Sequence, residues 1–359
     1  MRQSAFPVAV QENVKLAPYT TLAIGGEARF FAEVADESQV ANALNFAEAR
    51  SLPVFVLGGG SNLVVADTGF PGIIIRIALR GVKTKKSGII EAAAGEDWDA
   101  FVCRCVEHGL AGIECLSGIP GTVGGAPVQN VGAYGQEAAE SIVAVRALDR
   151  NTKQPVELSN KDCAFAYRTS IFNSSAKDRY IILAVSYHLH AGAPPRIQYP
   201  DLMRHFADRT PAPGIAEVRD AVMQIRAQKS MIIRQDDPNA KSAGSFFKNP
   251  LVPAPIAGQA EEAARLRGTL GKGEIMPRYP MADGSVKLSA AWLIEHAGFR
   301  KGYSRGRVAI SNRHALALIN LGGATAEELL GLMHDIQSGV QGMFGIQLVP
   351  EPVFVGFES

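Results

Sequence analysis

Ser245 stands in the segment SAGSFFKNP, residues 242–250, hard against two phenylalanines and with no histidine or acid inside the segment. A serine nucleophile of the hydrolase kind needs a base and a Gly-x-Ser-x-Gly elbow. Neither is present here, so this serine belongs to a different kind of site. Two glycine loops are the other conspicuous feature. GGGSN (58–62) follows the strand-like run PVFVL, and GIPGTVGG (118–125) lies in a long loop from residue 116 to 137. Glycines allow positive φ and close backbone approach, and successive N–H groups make an anion-binding nest.

A Rossmann fingerprint would require G-x-G-x-x-G opening a helix, with an acid roughly 20 residues further on. After GGGSN comes LVVADTGFPG, which does not read as helical, and the region near residue 78 is RIALRG. Either loop alone is also compatible with a tight turn and no ligand. The pair favours one long anionic cofactor between two subdomains.

The elements that must position these residues can be read from spacing. Residues 38–50 read as a helix with Val40, Leu44 and Ala47 on one stripe, and 53–57 as a buried strand. LVVADTGFPGIIIRI reads as two strands around a turn. Residues 96–108 place Trp98, Phe101, Val102, Cys105 and Val106 on one helical face, with Gly109 as the C′ residue. A helix at 216–228 turns Val218, Val222 and Ile225 inward and puts Arg226 and Lys229 on another, charged face. A helix at 287–297 carries Leu288, Ala291, Trp292 and Glu295. The last helix opens with Thr325 as N-cap and Glu328 as N3, with Leu329, Met333, Ile336 and Val340 as its apolar stripe. The changes of character divide the chain at 1–80, 81–228 and 229–359.

Composition narrows the class. The 359 residues are 47% apolar and 20% charged, and the formal net charge is +1. This is a globular balance with no global nucleic-acid footprint. No apolar run is long enough to cross a bilayer, and the first twenty residues lack the apolar core of a signal peptide. Cys103, Cys105, Cys115 and Cys163 have neither zinc nor disulfide-framework spacing. No metal is expected, and the thiols fit a reducing, cytoplasmic setting.

Six segments, in order, carry a resemblance: YTTLAIGGEARF, VLGGGSNLVV, GIPGTVGGAPVQNVGAYG, AYRTSIF, AGSFFKNP and ADGSVKLSAAWLIE. Together they closely resemble the UDP-N-acetylenolpyruvoylglucosamine reductase family of bacterial cell-wall synthesis, over nearly the whole chain. The resemblance implies an α+β fold: a two-subdomain FAD-binding unit of the vanillyl-alcohol-oxidase type, then a C-terminal α+β substrate domain whose last strand returns toward the FAD unit. It implies non-covalent FAD, NADPH as hydride donor, and reduction of the enolpyruvyl ether of UDP-N-acetylglucosamine to UDP-N-acetylmuramate. A cytoplasmic monomer acting on a small nucleotide-sugar, with no nucleic-acid or membrane partner, is expected. IQYPDL (197–202) resembles the tyrosine-bearing lid loop of the longer subtype.

Carried over by residue, the resemblance implies Arg168, Ser245 and Glu351 as catalytic. It implies Gly58, Gly59, Gly60, Ser61, Asn62, Gly118, Ile119, Pro120, Gly121, Thr122, Gly124, Gly125 and Gly132, with Arg168, as the FAD site. Tyr134, Tyr167, Tyr199, Arg226, Lys229, Asn249, Tyr279 and Lys301 are implied to line the substrate or nicotinamide pocket. One departure is Val353, where relatives of the longer subtype more often carry arginine. His314, like the other six histidines, is read as structural or peripheral.

In that setting the isolated serine has a role. Hydride addition to an enol ether conjugated with a carboxylate pushes charge toward the carboxylate, where Arg168 and Glu351 would stabilise it. The carbon that remains is basic enough to take a proton from a weak acid such as Ser245. Two rival readings stand beside this one. Another FAD oxidoreductase of the same fold often tethers its flavin through a histidine or cysteine and lacks AGSFFKNP. A non-catalytic flavin- or nucleotide-sugar-binding protein should have lost Arg168, Ser245 or Glu351.

Overall fold

The computed structural model describes residues 8–85, 88–234 and 236–357. Residues 1–7, which head the stretch read for a leader, lie outside the described residues. The chain forms two compact units, each an α+β assembly. The first comprises Met1–Val14, Ala28–Gly60 and Phe70–Ile232; the second comprises Lys15–Glu27, Ser61–Gly69 and Ile233–Ser359. Neither is one continuous stretch of sequence, and GGGSN is divided between them after Gly60.

In the first unit, Phe70–Ile77 runs parallel to Glu27–Val34 on one side and to Val54–Leu57 on the other. The helix Glu37–Glu48 links two of these strands and is capped by Asp36, whose side chain accepts the Gln39 N–H. A second, antiparallel sheet has the order Gln154–Ser159, Ile142–Asp149, Tyr180–His188, Ile89–Ala93, Val82–Thr84. Seven successive residues of its central strand, 181–187, are buried, because apolar side chains cover both faces. The helix Trp98–Glu107 packs into this core with the five residues its spacing predicts, and Gly109 follows at φ +71°. Trp98, Phe101 and Tyr187 form its aromatic centre, with ring centroids 5.1–6.1 Å apart.

The helix Ile215–Gln228 differs from the sequence reading at one position. Arg226 is buried together with Val218, Ala221, Val222 and Ile225, and Lys229 follows the helix as its C-cap residue, so the two do not share a charged helix face. Its guanidinium is satisfied inside the protein: Nε donates to Gly118 O at 3.1 Å and Nη2 to Met231 O at 2.8 Å. An arginine that finds carbonyl partners can be buried where periodicity alone would put it outside.

In the second unit, the strand Ser285–Leu288 lies between Leu251–Pro253 and Arg278–Pro280. Leu288 therefore ends a strand, and the helix expected from residue 287 begins only at Ala290, after its N-cap Ser289. A further small sheet runs Ser304–Arg305, Val308–Ile310, Leu318–Asn320. The helix Ala326–Phe344 has the Thr325/Glu328 capping box read from sequence, and Gly345 ends it in the left-handed conformation at φ +67°. The tail strand Val353–Val355 pairs in parallel with Leu63–Val65. Among the described residues no helix is long and apolar enough to cross a membrane.

Candidate active site

The two glycine loops meet within the first unit. A methyl group on Gly59 would sit 2.7 Å from Gly121 Cα, and one on Gly58 would sit 2.9 Å from Thr122 Oγ1. Only bare backbone permits that approach. Gly60, Gly118 and Gly121 take φ of +65°, +70° and +138°, conformations that L side chains rarely adopt. The Gly118 N–H donates to Asp99 Oδ1 at 2.6 Å, the Gly124 N–H to Ala94 O at 2.8 Å and the Gly125 N–H to Thr122 O at 2.9 Å. These three glycines thus hold the loop's shape through the protein itself. Asp99 is in turn gripped by Arg219, at 2.6 and 2.9 Å. Burial pushes the Asp99 carboxyl up, but the Arg219 hydrogen bonds and charge, with the Gly118 N–H and the Arg226 charge, together outweigh it and leave the carboxyl below its ordinary range.

Arg168 belongs to the same unit. It sits at φ +55° in a tight turn closed by Ala166 and Thr169, with its Nη2 donating to Gly132 O at 2.8 Å. Its guanidinium lies 5.5 Å from the centroid of the Tyr167 ring. Tyr134, two residues beyond Gly132, is also left-handed, at φ +49°. Bulky residues in this region are uncommon and cluster at binding sites, where surrounding structure over-determines them. Sequence reading had no means of seeing this strain.

Tyr134, Tyr199 and Lys229 are brought together as the sequence reading groups them. The Tyr199 ring stands edge-on to Tyr134, and Lys229 Nζ lies 5.9 Å from the Tyr134 centroid. Tyr199 occupies the N-cap position of a short helix, Pro200–His205, and is 40% exposed. The sequence reading missed Asp201, whose Oδ2 accepts from Lys229 Nζ at 2.7 Å. Burial raises the Asp201 pKa, while Lys229 and Arg204 lower it more, so the net shift is downward. Burial pushes the Tyr134 phenol up, against the lowering effect of the nearby Arg226 and Lys229 charges.

Ser245, Glu351 and Asn62 lie in the second unit. The Glu351 N–H donates to Phe246 O at 2.9 Å, and Lys248 N–H to Val349 O at 2.9 Å. These bonds zip the serine segment to the glutamate segment. Asn62 joins them: its Nδ2 donates to Glu351 O at 3.3 Å and its carbonyl accepts the Val353 N–H at 2.9 Å. Val353 itself is half-buried in the pairing of the tail strand with Val64's neighbours, residues 63–65. Phe246 and Phe247 are at most 1% exposed, so the two rings beside Ser245 are core.

Ser245 does have a histidine, supplied from far along the chain. His314 Nε2 is 3.3 Å from Ser245 Oγ across a sequence separation of 69. His314, read from sequence as structural or peripheral, thus touches the serine, a contact that no local signal could announce. Three further expected pocket residues, Asn249, Tyr279 and Lys301, lie in the second unit. Asn249 Oδ1 accepts the Ala290 N–H at 2.9 Å and so supports the start of a helix. Tyr279 is 50% exposed beside Lys287, and Lys301 is exposed in a turn. Three of the four thiols, Cys105, Cys115 and Cys163, are pushed up to about 12 by burial. Among the described residues no group of three or more His, Cys, Asp or Glu could hold a metal.

Residues 28–154, a stretch that includes both glycine loops, match the FAD binding domain model. The protein is therefore of the FAD-binding class. Residues 236–355 match the C-terminal domain model of UDP-N-acetylenolpyruvoylglucosamine reductase. The reductase of that name from Thermobifida fusca is 45% identical over 96% of this chain and 97% of its own length. Its namesake from Streptomyces avermitilis is 44% identical over 98% of this chain and 97% of its own. A crystal structure of the Thermus caldophilus reductase superposes with a TM-score of 0.64 at 26% identity, covering 97% of this chain and 98% of that one. The chain belongs to the UDP-N-acetylenolpyruvoylglucosamine reductase family.

Proposed function

We propose that this chain reduces the enolpyruvyl ether of UDP-N-acetylglucosamine-enolpyruvate to UDP-N-acetylmuramate, a step of peptidoglycan precursor synthesis, with FAD and NADPH. The family membership supports the reaction. The observation that carries the site is the pairing of the serine and glutamate segments through Phe246 and Glu351.

The cradle of Gly58, Gly59, Gly60, Gly121 and Thr122, with Ser61 and Asn62 beyond it, would hold the cofactor's pyrophosphate. Bound there, FAD would supply the hydride carrier between NADPH and the substrate. Arg168 is anchored at Nη2, and its planar guanidinium suits the substrate carboxylate. Glu351 would act beside the developing charge. Ser245 hands its proton to the basic carbon, shielded from water by its buried aromatic neighbours. Lys229, with Tyr134 and Tyr199, suits the diphosphate of a nucleotide-sugar, and Tyr199 acts as the lid of the longer subtype. A cytoplasmic monomer is the setting we assign.

The test is spectroscopic. The purified protein should be yellow, acid precipitation should release the colour, NADPH should bleach it, and the enolpyruvyl substrate should restore it. Colour retained in the acid pellet would indicate covalent flavin and the rival oxidoreductase reading. Bleaching without reoxidation by that substrate would overturn the proposed reaction.

A further inference from the structure

We infer that His314 is a positioning residue for the proton donor: its Nε2–H donates to Ser245 Oγ and turns the serine's own proton toward the substrate. The inference rests on the reading of Ser245 as that donor.

Both residues are held by backbone that has little freedom. The Phe246 N–H, next to Ser245, donates to Leu316 O at 2.7 Å. Asn320 N–H donates to Lys241 O at 3.0 Å, and Ser242 bridges Ile319, so the segment 241–246 runs along 316–320. Gly244, at φ +72°, provides the bend that brings the next residue's side chain out. On the other side, His314 sits in a turn closed twice: Ala317 N–H to His314 O at 3.1 Å, and Ser311 N–H to Ala317 O at 2.8 Å. Ser311 is fully buried; its hydroxyl donates to Asn239 Oδ1 at 3.0 Å and accepts the Arg313 N–H at 3.1 Å. The imidazole is therefore presented to Ser245 by a turn anchored in the core.

The chemistry follows from a count of protons. A serine hydroxyl has one proton and two lone pairs. Were Nε2 unprotonated, that proton would be drawn to the ring and lost to the substrate. With the proton on Nε2, the ring donates, Oγ accepts, and the serine O–H is directed elsewhere. When the O–H bond breaks and the new C–H bond forms, the electron pair stays on Oγ. The Nε2–H then faces an alkoxide, where a hydrogen bond strengthens with the developing charge. Solvent supplies the proton that restores the hydroxyl. Hydride transfer from NADPH to the flavin uses none of this, so the two half-reactions should respond differently.

The experiment is stopped-flow absorbance of both half-reactions in flavin-loaded His314→Ala, His314→Gln, Ser245→Ala and the double variant Ser245→Ala/His314→Ala. Flavin reduction by NADPH in the same samples reports that each variant is folded and loaded. Loss of the orienting donor should slow reoxidation by the enolpyruvyl substrate in His314→Ala by about 10- to 100-fold, the scale of a misplaced reacting group. His314→Gln, whose amide N–H can still donate, should recover most of that loss. The double variant should be no slower than Ser245→Ala alone. Wild-type reoxidation in His314→Ala, no recovery in His314→Gln, or multiplicative losses in the double variant would each overturn the inference while leaving the serine in place. Wild-type reoxidation in Ser245→Ala would remove the serine assignment itself, and this inference with it.

Discussion

Tyr199 and Tyr134 meet edge to face, their ring centroids 5.3 Å apart and their planes at 79°. One ring is buried and the other 40% exposed, so the contact joins a fixed residue to one at the surface. Lys229 lies beside the pair, its ammonium tied to Asp201.

That geometry makes Tyr199 the adjustable partner. A tyrosine ring that packs on the nucleotide-sugar would contribute on the scale of an aromatic contact, about 0.5–1.5 kcal/mol, which converts to roughly 2- to 13-fold in an equilibrium constant. Tyr199→Ala should raise the KM for the nucleotide-sugar by that order and leave flavin reduction by NADPH unchanged. Tyr199→Phe should behave nearly as wild type in KM, since it keeps the ring. Steady-state kinetics beside single-turnover flavin reduction decide it, and an unchanged KM in Tyr199→Ala would return the residue to an ordinary surface role.

The Asp99–Arg219 pair should stabilise the first unit in a pH-dependent way. The Asp99 carboxyl is held below its ordinary value when folded. Its contribution is therefore full above the unfolded value of about 3.9 and is lost as pH falls through the lower folded value. Asp99→Asn should cost about 1.5–3 kcal/mol at pH 7, the scale of hydrogen bonds to a charged group. The deficit should shrink below about pH 4, as the wild-type carboxyl takes up its proton. Denaturant unfolding followed by tryptophan emission reads this, because Trp98 is buried in the same unit. An equal deficit at pH 7 and pH 3 would mean that the pair's charge contributes nothing.

The glycine cradle makes a third prediction. Gly59→Ala would push a methyl group to 2.7 Å from Gly121 Cα, a backbone atom that cannot swing aside. Flavin content per chain, read from the visible-to-ultraviolet absorbance ratio, should fall several-fold. Gly258→Ala, with no heavy atom within 4 Å of the added methyl, should keep its flavin. It should also gain up to about 1 kcal/mol, as for glycine to alanine inside a helix. Full flavin loading in Gly59→Ala would show that the two loops separate without cost.

How much was legible beforehand differs from element to element. The helix Trp98–Glu107 buries the same five residues its 3.6-residue spacing picks out, and Thr325 with Glu328 caps the last helix as the Thr-x-x-Glu pattern predicts. Arg226 escaped the same reasoning because its burial depends on the carbonyls of Gly118 and Met231. Leu288 was assigned to a helix because an apolar residue two positions before Ala290 suits either period; its pairing with Arg278 puts it in a strand.

The sequence by itself determined what local repetition and short motifs can carry: helix faces, caps, the two glycine loops, and the ordered segments that mark the family. Those signals act over a few residues, where backbone geometry ties side-chain direction to spacing. Tertiary structure alone decided which distant groups touch. It set Gly59 against Gly121, Arg168 against the Gly132 carbonyl, and Asp201 on Lys229. It also brought His314 to Ser245. Such contacts arise when whole elements pack and their backbone bonds lock in register. Nothing in the spacing around Ser245 could announce a histidine 69 residues away.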